Sequence, residues 1–177
     1  GSGYSGIGRV EVFPVSAEST EHVEGVAYEM LRAAQTDWRV ERLADLVLQD
    51  RGIAFKPSKE AAIELHDFVN NVVKTTEDPH DWEKMTDPGT LSELIMTGQP
   101  LPDRDCDDFS IFLASLLMSV GFVSTVCFLD VDGDGEIDHA MTLVNIPGEG
   151  PTFAETTVPG KPLGWRHEYA WAECLAL

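Results

Sequence analysis

The chain predicts an α+β fold, with helices first and an antiparallel sheet after them. Three observations carry this. Apolar residues recur at helical spacing as far as Val120, the pattern beyond Gly121 changes to runs rich in β-branched and aromatic residues, and 177 residues suffice for one well-formed core. Residues 1–6, Gly-Ser-Gly-Tyr-Ser-Gly, read as an added or disordered start. Residues 7–177 read as a single domain whose helical N-terminal extension covers about 7–56.

The first helix is expected around Val23 to Leu31 and the second around Val40 to Leu48, with Gly52 as a stop. Pro57-Ser58 opens a third. Ser58 is its N-cap, and Ala61, Ala62, Leu65, Phe68, Val69, Val72 and Val73 form its apolar stripe. Asp78-Pro79 and Asp87-Pro88 then interrupt the helical pattern, and Thr90 to Met96 offers one short helix before a loop from Thr97 to Arg104. The next helix starts at Asp105-Cys106-Asp107-Asp108-Phe109 and places Phe109, Phe112, Leu113, Leu116, Leu117 and Val120 on one wide face, so it is central and buried, with Gly121 closing it. Strands follow at Val123 to Leu129 and Ala140 to Ile146, separated by the polar turn Asp130 to Asp138. Pro151 to Glu155 is a further short extended segment, and Trp165 to Leu177 fits a last strand or a short helix.

A formal net charge of -19 repels nucleic-acid phosphates and anionic membranes, so neither is an expected partner. No apolar run approaches the ~20 residues of a membrane span, and the first residues lack the basic end and apolar centre of a signal peptide. Any targeting segment upstream would lie outside this sequence. Cys106, Cys127 and Cys174 have no metal-ligand or disulfide-framework spacing. Three is an odd number, so at least one thiol is free in any monomer; the expectation is a reducing compartment, in the cytoplasm or a virion, with Cys127 and Cys174 as inert thiols beside Cys106.

Cys106 differs from the other two. With Asp105 as N-cap and Asp108 reaching back, it takes the first helical position, among unpaired backbone N–H groups that favour thiolate over thiol. His139 at the start of a strand can supply the base, and Glu155 can hold the other ring nitrogen. Cys, His and acid in this order are the parts of a thiol-dependent acyl-transfer site. Gln99 is the amide available in the preceding loop for an oxyanion hole, and Trp82 and Trp165 can line a groove.

Asp105-Cys-Asp-Asp-Phe-Ser-Ile-Phe-Leu-Ala-Ser-Leu-Leu117, Val120-Gly-Phe122, His139-Ala140, Glu155-Thr-Thr157 and Pro162-Leu-Gly-Trp165 together resemble the transglutaminase-like superfamily, in its prokaryotic and phage-encoded branch. Asp78-Pro79, Trp82-Glu83 and Asp87-Pro88 are similar to the lead-in of those proteins, and the resemblance covers about residues 66–167. It implies a papain-like fold with the cysteine helix packed on the sheet, Cys106 as nucleophile, His139 as general base and acid, and Glu155 as the orienting carboxylate. The sequence departs from the family in having Arg104 where Gly is usual and Glu155 where Asp is usual.

Asp130-Val-Asp-Gly-Asp-Gly-Glu-Ile-Asp138 matches the first half of an EF-hand loop, with carboxylates from Asp130, Asp132, Asp134 and Asp138 and a carbonyl from Glu136. Met141 stands where the last, bidentate glutamate would be. Calcium is the expected cation, bracing the strand of His139, and no organic cofactor is implied. The alternative for the turn is a cation-free hairpin in which Gly133 and Gly135 supply positive φ angles. The favoured function is hydrolysis or acyl transfer at an amide bond of a protein or peptide through an acyl-thioester on Cys106. Two rivals are an inactive fold acting as a virion or assembly protein, in contact with virion proteins, and a calcium-stabilised binding module.

Overall fold

The computed structural model describes residues 18–74, 86–101, 106–158 and 160–176, with side chains described from Glu24, as far as Val72 in the first segment and from Asp107 in the third. Residues 1–6, the Asp78-Pro79 and Trp82-Glu83 lead-in, Arg104 and the expected N-cap Asp105 lie outside them. Among the described residues five helices precede four strands: α1 Glu18–Ala34, α2 Trp38–Asp50, α3 Lys59–Lys74, α4 Pro88–Met96, α5 Cys106–Val120, β1 Ser124–Asp130, β2 His139–Ile146, β3 Gly150–Ala154 and β4 Trp171–Cys174. The C-terminal run that fitted either strand or helix is thus a strand.

Local chemistry sets the helix ends. Asp37 caps α2 by accepting from the Arg39 N–H at 3.0 Å, and its carboxylate also pairs with the Arg39 guanidinium at 2.8 Å. Ser58 accepts from Ala61 N at 3.0 Å, and Asp87 from Thr90 N at 3.1 Å with Pro88 in the first turn. A Cβ on Gly89 would overlap the Asp37 carboxylate, so glycine lets α4 lie close against the start of α2. At the end of α5, Gly121 adopts a φ of 112° and Phe122 N donates to Leu117 O at 3.1 Å, closing the helix by the expected glycine cap.

The sheet is antiparallel throughout, in the order β3-β2-β1-β4. Helix α5 lies across β2 and β1 and is buried nearly all round. Phe109, Phe112, Leu113, Leu116 and Leu117 face a cluster built with Val40, Leu43, Leu48, Leu65, Val69 and Leu91 from α2, α3 and α4. Ile111 and Ala114 pack with Val126, Phe128 and Ala140 of the sheet and Leu31 of α1. Alternate residues of the same strands, including Leu129, Met141 and Leu143, point to the opposite sheet face, where they are also buried. Strand β1 therefore reads as a continuous apolar run rather than an alternating one.

One expectation is overturned. Cys127 and Cys174 are not free thiols; they stand directly opposite each other in the β1–β4 register and form a disulfide. Their separation of 47 residues resembles no framework spacing, because a long connection intervenes before β4 returns to the far side of β1. Of the three cysteines, this pairing leaves Cys106 outside the disulfide.

Candidate active site

Hydrogen bonds between α5 and β2 locate the site. Ser110 Oγ donates to Ala140 O at 3.1 Å, and Thr142 Oγ1 donates back to Ser110 O at 2.8 Å, all within the buried core. This reciprocal pair locks the register of helix against strand. Cys106 is one helical turn before Ser110, and His139 is one residue before Ala140. The Cys106 side chain lies outside the described residues. Behind it, Asp108 is buried and accepts from Thr86 N at 3.1 Å, tying the first turn of α5 to the segment that leads into α4.

His139 begins β2, and its Nε2 is 2.7 Å from Glu155 Oε2. A carboxylate can only accept, so Nε2 carries the proton and Nδ1 is the ring nitrogen left for another partner. Glu155 follows β3 directly and has no exposed surface. Its second oxygen accepts from Thr157 N at 2.8 Å and Thr157 Oγ1 at 2.7 Å. Burial by itself would raise the Glu155 pKa, but the hydrogen bond and charge of His139, with the two Thr157 donors, outweigh it and hold the carboxyl at about 2.

Three further residues complete the surroundings, none identified from the sequence. His66 on α3 is buried and meets the Glu155 main-chain carbonyl at 2.6 Å, so its Nε2 donates there. Burial holds its imidazole below the usual range despite that carbonyl. Asn70, one turn on, contacts His66 at 3.3 Å, and both line a cavity of about 370 Å³ bounded by Pro162, Leu163 and Gly164. The available signal was a polar pair at four-residue spacing beside the apolar stripe of Leu65 and Val69. His167 packs edge-on against His139 with ring centroids 4.5 Å apart, and its Nε2 is 3.2 Å from Glu155 Oε2 without the geometry of a hydrogen bond. Burial, and then the neighbouring His139, push the His167 pKa down against the pull of Glu155. Trp165 in turn meets His167 at 4.8 Å. Gln99 is exposed in the turn that ends α4, and Trp82 lies outside the described residues.

The acidic turn directly precedes His139. Asp130 is buried, with its two oxygens accepting from Gly133 N and Gly135 N, each at 2.8 Å. Burial raises the Asp130 pKa, but the N–H donors of Gly135 and Gly133 prevail and hold it below the usual range. Gly133 and Gly135 have φ of 78° and 85°, as expected for the turn. Asp138 accepts from Val131 N at 3.0 Å and Asp134 from Glu136 N at 2.9 Å. Carboxylate oxygens of Asp130, Asp132, Asp134 and Asp138 all lie within 4.8 Å of one another. Two ligands of one calcium ion stand at most about 5 Å apart, so the four fit a shared ion. Met141 is wholly buried within β2, so no twelfth-position ligand reaches the turn.

No family model matches the chain, and no curated protein does. Among solved structures, the fold is similar to that of a candidate protease from Parabacteroides distasonis, with a TM-score of 0.51 and 12% identity over 78% of this chain. The chain spans 27% of that protein's length. Two structures of LapG from Legionella pneumophila, one EGTA-treated, align over 88% of this chain and 78% and 76% of theirs, with TM-scores of 0.42 and identities of 17% and 16%. At 12% identity the likeness to the Parabacteroides distasonis structure is one of α+β fold.

Proposed function

We propose that the chain is a cysteine-dependent hydrolase of amide bonds in proteins or peptides, of the transglutaminase-like kind, with Cys106, His139 and Glu155 as its catalytic residues. The observation that supports this most is the fully buried Glu155, fixed by Thr157 and aimed at His139 on the strand to which the Cys106 helix is bonded. A buried carboxylate that orients one ring nitrogen and leaves the other free is the arrangement a general base needs. The disulfide adds support from another direction. In an oxidising compartment, which we infer from it, a single cysteine kept out of disulfide pairing is a candidate reactive thiol.

In the proposed reaction, His139 Nδ1 takes the Cys106 proton and the thiolate attacks the carbonyl carbon. The tetrahedral oxyanion is met by backbone N–H groups at the start of α5, the positive end of that helix. His139 then gives its proton to the leaving amine as the C–N bond breaks, producing an acyl-thioester. Water, deprotonated by His139, attacks the thioester; the carboxylic acid leaves and the thiol is restored. Glu155 remains ionised and holds the imidazole in one tautomer throughout. Calcium held by Asp130, Asp132, Asp134, Asp138 and the Glu136 carbonyl would stiffen the turn that sets the start of β2. The test is release of peptides from an unfolded protein substrate such as casein. The wild type should cleave it and Cys106→Ala or His139→Ala should not; equal turnover by either variant would remove the proposal. A folded chain without turnover on any amide substrate would favour the binding or assembly reading.

A further inference from the structure

Glu155 Oε2 is approached by two imidazoles, and the second has no role in the reaction above. His167 Nε2 is buried, makes no hydrogen bond, and lies 3.2 Å from the oxygen that His139 Nε2 meets at 2.7 Å. The three ligand atoms lie within 4.8 Å of one another. Two imidazole nitrogens and one carboxylate oxygen are a zinc donor set, whereas the all-oxygen turn before β2 suits calcium. Tetrahedral bonds of about 2.0–2.1 Å put ligand atoms roughly 3.3 Å apart; the His167 spacing of 3.2 Å already fits, and the His139 spacing of 2.7 Å must open by about 0.6 Å. The two imidazoles lie nearer the surface than Glu155, with the side chain of His167 31% exposed and that of His139 13%.

We propose that His139, Glu155 and His167 form a zinc site that switches the hydrolase off, with the fourth position left to water. Zinc binding stands on the geometry alone; its inhibitory effect rests on the catalytic reading of His139. Metal on Nε2 takes the lone pair exposed when that nitrogen loses its proton. The one hydrogen of the neutral ring is then carried on Nδ1 instead of Nε2, so Nδ1 can no longer accept the thiol proton. His167 is a ligand in this account and takes no part in turnover.

The test is zinc titration of the full chain against a chromophoric chelator, with millimolar calcium present to occupy the acidic turn. The expected result is one zinc per chain, retained by Cys106→Ser and weakened at least tenfold in His167→Ala, whose fold is checked by its melting temperature. Cobalt added to the unmodified chain should give the visible absorption of a four- or five-coordinate nitrogen and oxygen site, a readout that needs no variant. Zinc should also block alkylation of Cys106 in the wild type and lose that effect in His167→Ala. No zinc uptake under calcium, or equal affinity in His167→Ala, would overturn the site. Zinc uptake through His167 in a chain without hydrolytic activity would keep the site and remove the reaction, while activity without uptake would do the reverse.

Discussion

Glu155 makes the stability of this fold depend on acid in a way that can be calculated. Its carboxyl has an ordinary pKa of 4.5 and is held at about 2 in the folded chain. A depressed acid stabilises the fold wherever the unfolded chain would also be ionised, so the contribution is complete above pH 4.5 and is lost as pH falls towards 2. A shift of this size corresponds to about 3 kcal/mol at neutral pH, of which about 2 kcal/mol is gone by pH 3. Because the side chain has no exposed surface, solvent screening takes little of it. Replacing Glu155 with Gln keeps the shape and removes the titration. Urea denaturation followed by tryptophan fluorescence, on both proteins at pH 7, 5, 4 and 3, isolates the effect, since other depressed acids such as Asp37 and Asp130 are common to both. The wild type should lose about 2 kcal/mol more than Glu155→Gln between pH 7 and pH 3. Parallel stability curves would refute the ionised, His139-bound state assigned to Glu155.

Two further outcomes are expected. Denatured without reductant, the chain should titrate one thiol, rising to three after reduction; closing a 47-residue separation implies a loss of about 4 kcal/mol and a fall in melting temperature of roughly 10 °C on reduction. Three thiols before reduction would show that the β1–β4 link is absent. Calcium at about 100 times its Kd should stabilise the fold by about 2.7 kcal/mol, and the double substitution Asp132→Asn with Asp134→Asn should abolish this; an unchanged melting midpoint in the wild type would leave the acidic turn as a cation-free hairpin.

What the sequence made legible follows from the range of the forces involved. The positions of α1, α2, α3 and α5 came from apolar spacing, and several of their ends from Gly52, Ser58 and Gly121, signals that act within a few residues. The positive φ angles at Gly133 and Gly135 are local in the same sense. Glu155 and His139 were visible as candidates because each adjoins a strand, although their contact depends on β3 pairing with β2. The disulfide, His66 and His167 were not visible, since each depends on a meeting between distant segments. Cys174 reaches Cys127 only because β4 pairs with β1, and His66 reaches the Glu155 carbonyl across 89 residues. Asp108 illustrates the same limit: a carboxylate expected to reach back to its own helix start accepts from Thr86 N, 22 residues upstream.

The central claim is that His139 activates Cys106, and the rate of Cys106 alkylation tests it most directly. An unassisted thiol with a pKa of ~8.5 is only about 3% thiolate at pH 7. With Cys127 and Cys174 oxidised, iodoacetamide added without reductant reports on Cys106 alone. Mass spectrometry at pH 7 should show rapid single labelling of the wild type, slowed about tenfold or more in His139→Ala and to a smaller extent in Glu155→Gln. Labelling of Cys106 at the same slow rate in all three proteins would contradict the account.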